Sequence, residues 1–340
     1  MASTDQRQRA SRARARLYRL VRERLEARGY AEVETPCLLP APGMEPHITA
    51  FAAEFRPEMA GLGPRTVYLQ TSPEYAMKRL LADGFGHIFQ ICKSFRNGES
   101  AAAHNPEFTM LELYRSPGSA SALRGDLEGL VQETAHELCA SPTAAGAGGR
   151  VDLTGPFERL TVRDAFLDRL GVDLRACPDG PSLRAAAAAR GLALPPERRS
   201  FDELFFELFL TAIEPTLGSP RPTFLTEFPA SMASLARLLP GDPTVADRFE
   251  LYLGGVELAN GFGELNDAVE QRRRLVEEQR ERREAGRPVY PIDDRFIEAV
   301  GRMPPSAGVA VGLDRLLMIL LGAAQIDDVL LFPASAEWRS

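Results

Sequence analysis

Two runs of alternating apolar and polar residues lie between His87 and Arg115, on either side of a short polar connection. Alternation with period two is typical of β-strands, so this stretch predicts an antiparallel hairpin. Side chains two residues apart share one face of a strand. On the first run this face carries Gln90, Cys92, Ser94 and Arg96, and on the second run it carries Phe108, Met110, Glu112 and Tyr114. The guanidinium suits an anion, and the carboxylate beside a phenol suits an ammonium group. An ordinary hairpin with a solvated polar face is the alternative.

Apolar residues at helical spacing predict a helix within the first 28 residues, ending near Gly29. Its outer face is rich in arginine, which is most simply a solvated face. Contact with RNA and long-range attraction of an acidic protein partner are the alternatives.

A second helix is predicted after Ser72, with Ser72 as its N-cap, Pro73 at its first position and Gly84 just beyond its end. Glu74 falls in the first turn, where the positive end of the helix dipole favours a carboxylate. Further along, residues 119–217 predict several helices and no catalytic cluster, and residues 266–286 predict a charged surface helix.

A second hairpin is predicted around Gly254 and Gly255, which form a two-residue turn signal between apolar runs. With that turn, Glu257 lies opposite Tyr252 and diagonal to Glu250, so the two carboxylates share a face. Such oxygen ligands suit Mg²⁺, which binds through one or two carboxylates together with substrate phosphates. The Gly-rich segment that follows suits close approach of the backbone to a ligand. An acidic hairpin that faces solvent is the alternative.

Small residues from Ser306 to Gly312 predict a closely packed strand, followed by a buried helix that begins near Leu313. Arg315 lies in the first turn of this helix, where the dipole disfavours a cation. A bound anion would remove that conflict, so this position is a candidate anion site.

The composition is that of a globular protein, with 340 residues, 26% charged and 44% hydrophobic. Only Lys78 and Lys93 are lysines among the 40 basic residues, which we attribute to genomic bias. The net charge of −7 argues against general coating of nucleic acid. Four widely spaced cysteines and the absence of any apolar run of about 18 residues predict a reduced, cytoplasmic protein that is not in a membrane.

The segments SFRNGE and HNPEFTMLELY resemble the second signature of class II aminoacyl-tRNA synthetases. GYAEVETPCLLP resembles the first signature and GVAVGLDR the third, so the resemblance extends from about Gly29 to Gly322. The nearest match is the elongation factor P lysine-ligase family. It implies an α+β fold, with a class II synthetase-like catalytic domain over residues 29–335 and a central antiparallel sheet flanked by helices. It further implies a basic N-terminal helix over residues 1–28, a helical insertion at about 119–217, and a homodimer formed around Pro36.

The same resemblance implies the site residues and the cofactors, ATP and Mg²⁺. Arg96 and Arg315 would be catalytic, and Glu250 and Glu257 would hold the metal. ATP would contact Arg96, Asn97, Gly98, Glu99, His104, Asn105, Glu257, Leu258, Gly312 and Arg315. The amino acid would contact Ser72, Pro73, Glu74, Tyr114, Asn260, Glu264 and Ala310, with Glu264 and Tyr114 at its ε-ammonium.

Two departures from the family pattern concern the nucleotide. Gly98 stands where the second signature has a glutamate, so either Glu99 replaces that glutamate through a local shift of the backbone or its contact with the nucleotide is lost. The loop from Ala101 to Ala103 is made of alanines where relatives often have arginine.

The function implied is ATP-dependent activation of lysine or (R)-β-lysine and transfer to a lysine side chain of elongation factor P. Only 28 residues precede Gly29, too few for the anticodon-binding barrel of lysyl-tRNA synthetases, so tRNA is not expected as a partner. Ala310, where those synthetases have glycine, fits a preference for β-lysine. The alternatives are a lysine-activating paralogue with another acceptor and a synthetase-like regulatory module that makes no adenylate.

Overall fold

The computed structural model describes residues 4–58, 61, 63–139, 143–146, 149–197 and 200–338. The helices in this part of the chain are α1 (Thr4–Ala27), α2 (Glu74–Ala82), α3 (Ala120–Leu138), α4 (Val162–Leu170), α5 (Gly180–Ala189), α6 (Phe201–Leu208), α7 (Ala268–Glu284), α8 (Asp294–Val300), α9 (Leu313–Leu321) and α10 (Ala334–Glu337). The strands are β1 (Ala31–Glu32), β2 (Leu38–Leu39), β3 (Ala52–Phe55), β4 (Arg65–Leu69), β5 (Ile88–Phe95), β6 (Glu107–Arg115), β7 (Thr143–Gly146), β8 (Gly149–Asp152), β9 (Glu158–Thr161), β10 (Thr223–Pro229), β11 (Leu238–Leu239), β12 (Asp242–Leu253), β13 (Val256–Gly263) and β14 (Ala307–Gly312).

The chain divides into two compact units. The first comprises Met1–Leu123, Gly263–Met318 and Ala323–Ser340, and the second comprises Arg124–Phe262 and Ile319–Gly322. The boundaries differ from the predicted insertion at 119–217, because the second unit also includes β10, β12 and most of β13. The division of the chain into a basic helix, a catalytic domain and an insertion stays a prediction.

Strands of the first unit pair in the order β1, β5, β6 and β14. The predicted hairpin is confirmed, because β5 and β6 are antiparallel and place Gln90 opposite Glu112 and Cys92 opposite Met110. Strand β14 is antiparallel to β6, whereas β1 runs parallel to β5. That parallel pair joins strands separated by a long stretch of chain, as parallel pairing requires.

The second unit has its own strands and core. Strands β13, β12, β10 and β9 pair in this order, with β11 on β12. All of these pairs are antiparallel except β9 with β10. Two phenylalanines of the predicted helical segment, Phe205 and Phe209, are buried in this core, and the Phe205 ring stacks on Phe166 at a centroid distance of 4.8 Å, whereas Phe206 is 36% exposed. The predicted α+β fold with helices flanking a sheet is confirmed, and most of its strand pairs are antiparallel.

Helix α1 is attached to the rest of the first unit by its apolar face and by one arginine. Leu17, Val21 and Leu25 are fully buried, as the helical spacing predicted. Arg14 is ion-paired with Asp314 and donates a hydrogen bond to the carbonyl of Val329 at 2.9 Å. The basic face is therefore not wholly a solvated one.

Helix α7 departs from the prediction of a solvated surface element. Many of its charged residues form ion pairs one turn apart, such as Glu270 with Arg274 at 2.8 Å. Leu275 and Arg282, however, are buried, and the Arg282 side chain is not exposed at all. Sequence periodicity could not predict that Arg282 is buried, because charged residues are normally exposed. This arginine is an exception because its side chain donates hydrogen bonds to backbone carbonyls.

No helix in the described ranges is long and apolar enough to cross a lipid bilayer. Cys37, Cys92, Cys139 and Cys177 are free cysteines.

Candidate active site

A fully buried lysine lies at the centre of the site in the first unit. Lys78 projects from α2, and its Nζ atom is 2.6 Å from Glu74 Oε1 and 2.7 Å from Glu264 Oε2. Burial disfavours the charged form, but the two carboxylates outweigh burial and raise the pKa of Lys78 above its usual value. Because this chain otherwise uses arginine almost throughout, we attribute the lysine here to its compact ammonium, which meets two separate carboxylates at 2.6 and 2.7 Å without the planar geometry of a guanidinium.

Glu112 adds a third carboxylate to this cluster. Its Oε1 atom accepts a hydrogen bond from the Tyr114 hydroxyl at 2.8 Å, and its Oε2 atom accepts one from Ser72 Oγ at 3.3 Å. Burial and the neighbouring charge of Glu74 raise the pKa of Glu112 to about 8, against the effect of the Tyr114 hydrogen bond. Three carboxylates around one lysine form a pocket that suits ammonium groups.

Glycine at position 308 makes this arrangement possible. A Cβ atom at Gly308 would lie 2.2 Å from the Tyr114 ring and 2.3 Å from Glu264 Oε1. Gly308 is opposite Tyr114 in the pairing of β14 with β6, and Ala310 is opposite Glu112. The small residues that predicted a closely packed strand are therefore part of the pocket wall.

Helix α2 begins slightly later than predicted. Its first residue is Glu74, and Pro73, which has no side chain able to cap, occupies the N-cap position. Ser72 Oγ nevertheless accepts a hydrogen bond from the Glu74 amide at 3.1 Å while it also reaches Glu112. Ser72 therefore connects the start of the helix to the carboxylate cluster.

Arg96 directly follows β5 and lies over an aromatic ring. Its guanidinium carbon is 5.1 Å from the centroid of the Phe108 ring, and Nη1 is 3.5 Å from Glu99 Oε1. Gly98 adopts a φ of +92°, a left-handed conformation that glycine adopts without strain. The turn at Gly98 folds Glu99 back towards Arg96. The replacement of the missing signature glutamate by Glu99 stays a prediction.

Arg315 is held by the loop between β5 and β6. Its Nε atom donates to the Ala103 carbonyl at 3.2 Å, and Nη2 is 2.6 Å from His104 Nε2. Burial and the neighbouring arginine lower the pKa of His104, so the neutral ring accepts the hydrogen bond. The alanine loop thus positions the arginine of the third signature through its backbone.

The other predicted ATP ligands of the first unit have structural contacts as well. The Asn97 amide donates to the Thr49 carbonyl at 2.7 Å. The Asn105 side chain donates to the Glu107 carbonyl at 2.6 Å and accepts from the Ala334 amide at 3.0 Å. Gly312 lies against Arg315, since a Cβ atom there would be 3.5 Å from Arg315 Cδ. Their contacts with ATP stay predictions.

The second unit carries the predicted metal ligands on the hairpin of β12 and β13. Tyr252 is opposite Glu257 and Glu250 is opposite Asn260, so the expected shared face is present. Glu250 accepts hydrogen bonds from Arg248 Nη2 and from the Tyr252 hydroxyl, each at 2.6 Å. A carboxylate has lone pairs beyond those two bonds, so the oxygen donors of Glu250 and Glu257 fit Mg²⁺.

A register shift in this hairpin affects two further predicted residues. Leu251 pairs with Ala259 and Tyr252 with Glu257, which leaves Leu258 as the extra, bulged residue of β13. The buried Asn260 Oδ1 atom has no hydrogen-bond partner among the described residues. Because an unsatisfied buried oxygen is costly, Asn260 is suited to bind a donor group of a ligand.

Within the first unit, the structure therefore brings Glu74, Glu264, Tyr114 and Ser72 into one cluster. Sequence reasoning placed Glu112 on the correct face but did not include it among the substrate contacts, and it missed Lys78 and Gly308. Lys78 could have been noticed as one of only two lysines, whereas Glu112 was already singled out as the hairpin carboxylate beside Tyr114 that suits an ammonium group.

Comparisons with known proteins agree with this architecture. The family described as tRNA synthetases class II (D, K and N) matches residues 1–336, so the chain belongs to this family. Relatives named Elongation factor P–(R)-β-lysine ligase include one from Salmonella typhi, 40% identical over 326 residues, which covers 94% of this chain and 93% of the relative. Another, from Edwardsiella ictaluri, is 41% identical over 321 residues with the same coverage. Within the synthetase family, the chain belongs with these ligases.

Proposed function

We propose that this protein activates lysine or (R)-β-lysine with ATP and transfers the acyl group to a lysine side chain of elongation factor P. The observation that carries the proposal is the buried pocket of Glu74, Glu112 and Glu264, because such a pocket suits a ligand with two ammonium groups. The family and the names of the relatives support both the activation chemistry and the acceptor.

In the first step, a carboxylate oxygen of the amino acid attacks the α-phosphorus of ATP. The bond from that phosphorus to the bridging oxygen breaks, and pyrophosphate leaves. Arg96 would neutralise the α-phosphate as charge develops, and Arg315 would hold the terminal phosphate. Glu250 and Glu257 would hold Mg²⁺, which when bound neutralises charge on the phosphates.

In the second step, the ε-amine of the acceptor lysine attacks the carbonyl carbon of the adenylate. The carbon–oxygen bond to AMP breaks, AMP leaves, and the amine loses a proton to give an amide. The chain's contribution is positioning and charge stabilisation, so the reaction needs no protein nucleophile. We also infer that the protein works in the cytoplasm as a homodimer, without tRNA as a partner.

Incubation of the purified protein with ATP, (R)-β-lysine and elongation factor P tests the proposal. Mass spectrometry should show one added lysyl mass on the acceptor, and none without ATP. Adenylate formation without transfer would favour the paralogue that uses another acceptor. Failure of lysine and β-lysine to support pyrophosphate exchange would favour the regulatory module, which the departure at Gly98 motivated.

Binding of the amino acid should depend on pH through Glu112. Because the pKa of Glu112 is raised to about 8, its carboxyl is mostly protonated at neutral pH. An ammonium group favours the ionised form, so binding must release this proton, and the affinity should rise as the pH increases from about 6 to 8 and then level off. Each pH unit below the pKa should cost up to about tenfold in affinity.

Calorimetric titration with lysine across this range measures the effect, and Glu112→Gln should remove most of it. Glu74, Glu264, Lys78 and Tyr114 face the same carboxyl. A profile that stays equally steep in the glutamine variant would show that another titratable group, and not Glu112, causes the pH dependence.

A further inference from the structure

A loop before β3 is fixed in place by a buried arginine. Arg282 of α7 donates to the carbonyls of Glu45 and Ile48 at 2.7 and 2.8 Å and to that of Pro288 at 2.6 Å. Its guanidinium lies 4.4 Å from the centroid of the Tyr290 ring. Burial of an arginine is costly unless its donors are satisfied. Two of these hydrogen bonds tie the backbone at Glu45 and Ile48 to α7, whereas the Arg282 Nη2 atom has no hydrogen-bond partner among the described residues.

The carboxylate of Glu45, in this loop, lacks part of its possible hydrogen bonding. Glu45 Oε2 is buried and has no hydrogen-bond partner among the described residues. A Cβ atom at Gly43 would lie 2.4 Å from the same oxygen, so any other residue at position 43 would require the Glu45 carboxylate to shift. A buried carboxylate oxygen without a partner costs free energy that a positively charged ligand would recover.

The surroundings of Glu45 connect it to the amino-acid pocket. Burial and the neighbouring charge of Glu74 raise the pKa of Glu45, whereas a hydrogen bond from the Glu45 backbone and the charges of Arg96 and Arg282 act in the opposite direction. Glu278 of α7 is a further carboxyl close enough to interact with Glu45. Glu45 is thus near the residue proposed for a substrate amine, Glu74, and near the residue proposed for the α-phosphate, Arg96.

Glu45, Glu74 and Arg96 correspond to the carboxyl end of the amino-acid substrate. Its carboxyl group reacts at the α-phosphate, and in lysine or β-lysine the inner amine is on the next carbon or the one after that. An inner ammonium therefore lies on the same side of the molecule as Arg96, whereas the ε-ammonium lies at the far end, at Glu264 and Tyr114. Two carboxylates, one of them unsatisfied, are suited to hold that inner ammonium.

We propose that Glu45 binds the inner ammonium of the substrate together with Glu74, and so selects amino acids that carry this group over ω-amino acids that lack it. The inference rests on the proposed function, because it assumes that lysine or β-lysine is the substrate. It adds a specificity residue from a loop outside the three signature segments.

The test compares two ligands by calorimetric titration of the full-length protein. (R)-β-lysine has both amines, whereas 6-aminohexanoate has a terminal amine and no inner one. In Glu45→Gln, the affinity for β-lysine should fall by about 10- to 100-fold, the range expected for loss of a charge-assisted hydrogen bond. The affinity for 6-aminohexanoate should change less than about threefold. An equal loss for both ligands, or no loss for either, would overturn the proposal.

Two further variants separate the role of this carboxylate from a general effect of mutation. Gly43→Ala should displace the carboxylate and reduce the preference for β-lysine while Glu45 itself is retained. Glu54→Gln removes an exposed carboxylate of β3 and should leave both affinities unchanged. Thermal melting should show that Glu45→Gln is at least as stable as the natural protein, because it removes an unsatisfied buried charge. If the natural protein binds neither ligand, the proposed function itself fails.

Discussion

Glu264→Gln should raise the KM for the amino acid by about 100-fold or more while the KM for ATP changes less than threefold. Glu264 is almost fully buried, with 1% of its surface exposed, and is 2.7 Å from Lys78. Truncating one partner of a buried, hydrogen-bonded charge pair in a binding site typically costs about 2–5 kcal/mol, and each 1.4 kcal/mol is about a factor of ten. The substrate's ε-ammonium would lose its main counter-charge. Pyrophosphate exchange at varied amino-acid and ATP concentrations measures both constants.

Glu107→Gln is a matched control, because Glu107 lies in the same unit but its side chain is 54% exposed and pairs only loosely with Lys93, at 3.3 Å. This control should behave as the natural protein. The Lys78 ammonium also loses one of its two carboxylates in Glu264→Gln, so a melting curve is needed to show that the variant is folded at the assay temperature. An unchanged KM for the amino acid in a folded variant would contradict the assignment of the pocket.

Arg96→Ala should reduce the rate of adenylate formation by about 10²- to 10³-fold, with a smaller effect on the KM for the amino acid. Loss of one group that stabilises developing charge in a transition state typically has this magnitude. Arg96 is suited to such a role because Phe108 supports its guanidinium on one side and its only ion pair among the described residues, with Glu99, is long at 3.5 Å. Rapid-quench measurement of pyrophosphate release in a single turnover isolates this step.

Two further variants serve as controls for Arg96→Ala. Arg96→Lys keeps the charge but not the planar fork, so it should recover only part of the rate. Arg302→Ala removes an arginine whose side chain is 64% exposed and should leave the rate unchanged. A loss of less than about fivefold in Arg96→Ala would show that another group neutralises the α-phosphate.

The two hairpins show how much of this fold the local sequence pattern predicts. Alternation alone placed Glu112 and Tyr114 on one face, and the pairing of β5 with β6 confirms it. The turn at Gly254 and Gly255 likewise predicted that Glu257 lies opposite Tyr252. These predictions succeeded because strand geometry fixes side-chain direction with a period of two and a tight turn fixes register.

Other features could not be predicted because they depend on contacts between distant segments. Charged residues on α7 predicted a solvated surface, yet Arg282 is buried against carbonyls of the loop around Glu45. That loop has no periodicity, so nothing in the sequence indicated that its carboxylate would be buried. The bulge at Leu258 was also missed, since one extra residue in a strand leaves little mark on the alternation.

By itself, the sequence determined the class of fold, the faces of the two hairpins and the chemical types gathered in the signature segments, because these depend on local geometry and residue identity. Only the tertiary structure decided that Lys78 lies between Glu74 and Glu264, that Gly308 gives Tyr114 its space, and how Arg315 is held. The charge of each group depends on its burial and on its distance from groups in remote segments, and the sequence gives neither quantity directly.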